Sequence, residues 1–248
     1  MKNGGAALII LVSTLFQASA FSESLPVTGE IIIFHAGSLS VPFRDIAAAF
    51  EKEYPDVQVL REAAGSRTCA RKIADLERPC DIFASADYAV IDSLLIPEHA
   101  AWNIKFASNE MVIAYTKDSK AIQEITRDNW HRILLRSDIR FGRSEPNTDP
   151  CGYRTLLTLK LAEGFYDLPG LAQSFSKKDQ RYIRPKETDL LALLETQSID
   201  YVFIYRSVAE QHKLKWITLP DKINLKRPDF AKHYAAVSVG LSGTAPNT

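Results

Sequence analysis

Between Glu30 and Asp92 the chain alternates short apolar, β-branched runs with segments of helical period. EIIIFHA (30–36) and VQVLREA (57–63) read as strands. Between them, VPFRDIAAAFEKEY (41–54) carries Phe43, Ile46, Ala47 and Phe50 on one helical face, and Tyr54-Pro55 ends it. A further helix follows Gly65-Ser66, and DIFASADYAVIDSLL (81–95) reads as strand, turn and helix. Strands alternating with helices predict a mostly parallel sheet. Ligands of such sheets bind beyond the carboxyl ends of the strands. Ser38, Ser66 and the Ala84-Ser85-Ala86 turn all fall at such ends.

The pattern restarts near Asn109. EMVIAYT (110–116) reads as a strand and TRDNWHRILLR (126–136) as a helix. The stretch 138–166 then gives a short strand, a polar Pro/Asn/Asp turn and a helix, and 181–212 gives strand, helix, strand, helix. The last part, 216–243, reads as a strand, a loop and another strand. The expected organisation is an α/β fold with a first lobe over 27–108, a second over 109–243 and a tail over 244–248. No internal repeat or low-complexity linker interrupts it.

Charge narrows the function classes. Lys+Arg and Asp+Glu both number 30, so there is no basic excess of the kind nucleic-acid binding uses. At the N-terminus, Lys2, the apolar run AALIILVSTLF and Ala18-Ser19-Ala20 read as a secretory signal peptide over 1–20. The run is short for a membrane span, and no Cys stands at the cleavage point to take a lipid. The expectation is a soluble protein exported to a bacterial periplasm. Three cysteines remain, Cys69, Cys80 and Cys151; a Cys69–Cys80 bridge is open on sequence alone. No His/Cys cluster has zinc spacing.

The chemistry centres on two Gly-Ser turns, each leading from a strand into a helix. A helix start offers unpaired N–H groups and the positive end of the dipole, which together favour an anion. Taken singly, Ser38 and Ser66 are more simply helix caps; their recurrence at equivalent strand ends points to a site. Asp149 stands before a helix and Glu187 just outside another, and both are ordinary turn or cap residues on sequence alone. Tyr205 ends an apolar strand, where its hydroxyl faces either the core or a cleft. Arg67, Arg71, Arg154 and Arg206 suit an anion or surface ion pairs equally. His35 and His212 have no partner pattern, and no catalytic triad, GxSxG elbow or P-loop is present.

Seven blocks in order, HAGSLSVPF, AAGSRTCARKI, CDIFASADY, NEMVIAYT, DPCGYR, RPKETDLLALLE and IYRSVAEQH, resemble the tungstate/molybdate-binding proteins of ABC importers, in their archaeal-type subgroup. The resemblance runs from about Ile31 to Val239. It implies a class II periplasmic-binding-protein fold, two α/β lobes closing on a ligand, with tungstate or molybdate as cargo, no cofactor, no catalysis, an ABC permease as partner and a monomeric state.

Residue by residue, the resemblance implies that Ser38 and Ser66 donate to the oxyanion, with Ala84 beside them. It implies that Asp149 and Glu187 bond the metal directly, and that Gly152 and Tyr205 add donors to the oxo groups. Two carboxylates facing a dianion would repel it, and burying unpaired charge is costly. The arrangement is consistent only if the metal itself accepts the carboxylate oxygens and expands from four to six coordination. Glu195, eight residues on, is the alternative second carboxylate. Family members also carry a further strand and helices returning to the first lobe. The fold expected for a chain ending at Thr248 therefore lacks its C-terminal strand and helices, with reduced stability and binding. Two other readings stay open, a binding protein for sulfate or another tetrahedral oxyanion and an oxyanion-ester hydrolase.

Overall fold

The computed structural model describes residues 26–178 and 180–242; the expected signal peptide and the tail at 244–248 lie outside the described residues. In the first lobe, β1 (Gly29–Ala36) leads through a 3-10 turn (Gly37–Leu39) into α1 (Ser40–Glu53). β2 (Val57–Ala64), α2 (Ser66–Ala74), β3 (Ile82–Ala84) and α3 (Tyr88–Leu94) follow. The strands run parallel in the order β2-β1-β3. Ala36 is in register with Ala64, and His35 with Ala84. Both Gly-Ser turns and the Ser85 turn therefore leave one edge of one sheet at nearly one level.

The second sheet has the order β6-β5-β7-β4-β8. Its strands are β4 (Met111–Tyr115), β5 (Phe141–Ser144), β6 (Ile183–Arg184), β7 (Tyr201–Tyr205) and β8 (Lys215–Thr218). Around them lie α4 (Trp130–Leu134), α5 (Pro150–Phe165), α6 (Leu171–Lys177), α7 (Asp189–Glu195), α8 (Arg206–Gln211) and α9 (Ala231–Tyr234). β5, β6 and β7 are parallel, whereas β4 is antiparallel to both β7 and β8. The reason is the direction of entry. The chain reaches the second sheet at Met111, opposite Tyr205, on the edge where β7 ends. Here Arg206 N donates to Glu110 O at 2.9 Å, and the buried Glu110 carboxylate takes Arg206 Nη1 at 2.8 Å and Lys226 Nζ at 3.4 Å.

β4 and β7 are buried almost throughout, as their unbroken apolar runs require. Trp130, Phe141, Phe175 and Phe203 interlock beneath them, with Phe203 edge-on to both Trp130 and Phe141 at 5.8 Å. No helix among the described residues is long and apolar enough to cross a membrane.

One expectation needs correction. The strand expected near the end of 216–243 does not form; α9 occupies part of it, and 235–242 pairs with no strand. Side chains satisfy this backbone instead: Lys160 donates to Ser238 O, Arg67 and Arg71 to Ser242 O, and Ser242 N to Asn147 Oδ1. The Cys69–Cys80 bridge, left open on sequence, is not formed. Cys69 is buried with its thiol toward His35 O, and Cys80 donates to Ile82 O.

Candidate functional site

The carboxyl edges of the two sheets face each other, and the four polar turns expected from the sequence meet there. Gly65 lies against the 145–149 loop. A Cβ at Gly65 would stand 2.3 Å from Thr148 O and 3.2 Å from Asp149 Cα. Arg67 N donates to Thr148 O at 3.2 Å, and Arg67 Nε to Asn147 O at 3.0 Å. Gly37 faces Glu187. A Cβ at Gly37 would stand 3.3 and 3.4 Å from the two carboxylate oxygens and 3.0 Å from Thr188 Oγ1. One Gly-Ser turn thus meets the Glu187 carboxylate and the other the backbone at Thr148–Asp149, and glycine is what permits each approach.

Neither serine occupies the N-cap of its helix; Leu39 and Gly65 hold those positions. Ser66 is fully buried, and its Oγ accepts from Ala86 N at 2.9 Å. A hydroxyl that accepts in this way keeps its own proton to donate. Ser38 is buried, and its carbonyl takes Gln211 Nε2 at 3.4 Å from across the cleft. Ala84, buried at the end of β3, places the Ser85 turn beside them.

The two carboxylates differ in how fully they are engaged. Asp149 is the N-cap of α5: Oδ1 accepts from Cys151 N at 3.1 Å, and Oδ2 accepts from Glu187 N at 2.8 Å. It therefore both starts the helix and ties it to the turn after β6. Glu187 is completely buried, and neither carboxylate oxygen makes a hydrogen bond to a described residue. Burial, and then the charge of Asp149, push its acidity constant well above the usual carboxylate range. Glu195 is exposed at the end of α7, so it is not the second carboxylate of this cluster.

Tyr205 ends β7 and is buried, and its hydroxyl likewise lacks a partner among the described residues. Burial raises its acidity constant well above the usual phenol value, which keeps the proton available for donation. Gly152 departs from the expected donor role. Its N–H bonds Asp149 O at 3.0 Å, and a Cβ there would stand 2.5 Å from Ser144 O. The position demands a missing side chain; its N–H is not aimed at the cleft.

The candidate arginines all have protein partners. Arg67 and Arg71 hold backbone carbonyls, Arg206 pairs with Glu110 and Glu210, and Arg154 pairs with Asp87 at 2.8 Å. His35 Nδ1 donates to Ala36 O at 2.9 Å and the ring stacks on Phe43, and His212 is exposed. Among the described residues no cluster of His, Cys, Asp and Glu forms a site for a bare metal ion. The Asp87–Tyr153–Arg154 contact escaped the sequence reading. Its only signal was that DIFASADY and DPCGYR each carry polar residues beyond those needed for a turn.

A groove of about 830 Å³ reaches this region and is lined in part by Ser38, Ala84, Arg154 and Tyr205. Asp149 and Glu187 are buried and do not line it.

Residues 31–242 match the family described as bacterial extracellular solute-binding protein. A solute-binding protein of Petrotoga mobilis is 50% identical over 239 residues, 96% of this chain and 73% of the relative. A molybdate/tungstate-binding protein, WtpA, of Pyrococcus abyssi is 45% identical over 98% of this chain and 78% of its own length. Among solved structures, the periplasmic molybdate-binding protein of Azotobacter vinelandii aligns with a TM-score of 0.61 at 16% identity, covering 79% of this chain and 81% of its own. The sulfate-binding protein SubI of Mycobacterium tuberculosis aligns at 0.59 and 15%, covering 77% and 71%. At these identities the two structures share the fold of class II periplasmic binding proteins with this chain.

Proposed function

The chain belongs to the bacterial extracellular solute-binding protein family, and from that premise we propose that it captures tungstate or molybdate outside the cytoplasm for an ABC permease. The reading rests on one observation. The two oxygens of Glu187, fully buried and without a hydrogen-bond partner among the described residues, sit beside Asp149 and face the Gly37-Ser38 turn. A dehydrated carboxylate pair, when both members are ionised, repels sulfate or phosphate, whose central atoms take no further ligand. Tungsten and molybdenum in their hexavalent oxyanions accept added oxygen donors, so the same pair becomes a source of affinity.

On this reading Glu187 and Asp149 bond the metal, while Ser66, Tyr205, Ser38 and the N–H groups at the starts of α1 and α2 hold the oxo groups. Ala84 and Gly152 shape the wall and let neighbouring backbone approach. Binding and release are the whole of its chemistry; the cluster contains no nucleophile–base pair of the kind a hydrolase needs. The similarity to WtpA supports this choice of anion over sulfate.

Calorimetry with tungstate, molybdate and sulfate tests the reading. Wild type should bind the first two and not sulfate. Glu187→Gln should weaken tungstate by at least about 100-fold, the loss of a charged partner worth roughly 3 kcal/mol. Sulfate binding that survives or improves in Glu187→Gln, with no tungstate binding by wild type, would overturn it.

A further inference from the structure

The ties between the lobes are not all made at the anion site. Asp87 caps α3 of the first lobe, its Oδ1 accepting from Ala89 N at 3.1 Å. Its backbone is fixed by Ser85, whose Oγ donates to Asp87 O at 2.6 Å and accepts from Asp87 N at 3.1 Å. The remaining oxygen, Oδ2, points across the cleft. It receives Tyr153 Oη at 2.7 Å and Arg154 Nη2 at 2.8 Å, both from the first turns of α5. The contact is well shielded, with the Asp87 side chain 10% exposed and that of Arg154 26%. Burial alone would raise the acidity constant of Asp87; Arg154 and Tyr153 outweigh it and hold it below the ordinary value.

The helix gripped in this way begins with Asp149. Residues 149, 153 and 154 lie within little more than one turn, so a pull on 153 and 154 moves the carboxylate at the N-cap with them. Oδ2 of Asp87 is the shared acceptor, so the two donors act as one unit.

The geometry points to Asp87 as a positioning residue for the site: by receiving Tyr153 and Arg154 it latches α5 closed over the Gly65-Ser66 turn and sets how long a bound oxyanion is retained. This extends the proposed function and depends on it for the identity of the anion. The latch itself requires no anion, because none of its three members is among the groups assigned to hold one. Closure should therefore be partly favoured before binding, and the latch should act on release more than on capture.

Stopped-flow tungstate binding, followed by tryptophan fluorescence, tests this on the full exported chain. Asp87→Asn keeps the cap acceptor and removes the charge that Arg154 meets; Tyr153→Phe removes one donor and keeps the ring. Each should raise the off-rate at least tenfold while changing the on-rate less than threefold. The double variant should do little more than the worse single. Small-angle scattering of the anion-free proteins gives a second readout, with both variants more extended than wild type. Unchanged off-rates, or a loss confined to the on-rate, would overturn the latch. If wild type binds no oxyanion, the functional reading falls by itself, and scattering alone judges the latch: equal radii of gyration sink it.

Discussion

On the proposed reading Glu187 is the residue on which the chemistry turns, and its protonation makes a sharp distinction. Its acidity constant lies well above the ordinary value of 4.5 because it is buried and beside Asp149. A carboxyl raised in the folded state stabilises the fold below its unfolded value, and that contribution is lost as pH rises through the folded value. The anion-free protein should therefore lose stability from about pH 4.5 upward, and Glu187→Gln should flatten that slope. A metal bond needs the ionised form. Tungstate binding should then release a proton from Glu187 and tighten by up to about tenfold per pH unit below its folded value. A sulfate held by hydrogen bonds would instead favour the protonated acid and retain the proton. Calorimetry in two buffers of different ionisation enthalpy reads this number directly; net proton uptake on tungstate binding would count against coordination.

At the level of elements, α5 carries two tasks at its first residue. Asp149 is the N-cap through Oδ1 and meets Glu187 N through Oδ2. The two tasks separate by substitution. Asparagine is as good an N-cap as aspartate but turns an amide NH2 toward Glu187 N, so Asp149→Asn should keep the helix start, cost roughly 1–3 kcal/mol for the orphaned N–H, and abolish tungstate binding. Asp149→Ala should lose binding and also about 1 kcal/mol more stability than Asp149→Asn, the worth of the cap itself. Equal tungstate affinity in wild type and Asp149→Asn would remove Asp149 from the coordinating set and leave it as a cap. The strand-turn-helix units around Ser38 and Ser66 were legible from the sequence because period and glycine both act locally. What opposes them was not. The seat of Gly65 on Thr148 and the grip of Asp87 on Tyr153 and Arg154 join residues more than sixty positions apart, which no local pattern records. The same limit explains the final segment. Val237, Val239 and Leu241 alternate as a half-buried strand does, but a strand also needs a free sheet edge at the right height. Val237 packs on the second lobe's core, and Val239 and Leu241 line a groove between the lobes beside Arg67 and Asp87.

Across the whole molecule the two lobes are unequally built. The second is held by a continuous core running from β4 and β7 through Trp130, Phe141, Phe175 and Phe203 to Leu190 and Leu194. In the first, the apolar cluster centres on Ala70, Val90 and Leu95, while Ile46, Leu60, Leu76, Ile82 and Tyr88 remain exposed. Fully burying a large apolar side chain is worth roughly 1.5–3 kcal/mol, of which each of these forgoes a part, so the first lobe should open locally well before the second. Amide exchange followed by mass spectrometry should show β2, α2 and α3 exchanging much faster than β4 and β7. An oxyanion held by both lobes binds only when the first is folded. At 100 times its dissociation constant it adds about 2.7 kcal/mol to that folded state, slowing exchange there by on the order of 100-fold. The second lobe, already stable, should gain less, except around Asp149, Glu187 and Tyr205. Uniform exchange across both sheets without anion would refute the unequal cores. Protection by tungstate confined to the second lobe would mean that the Gly-Ser turns of the first do not hold the anion.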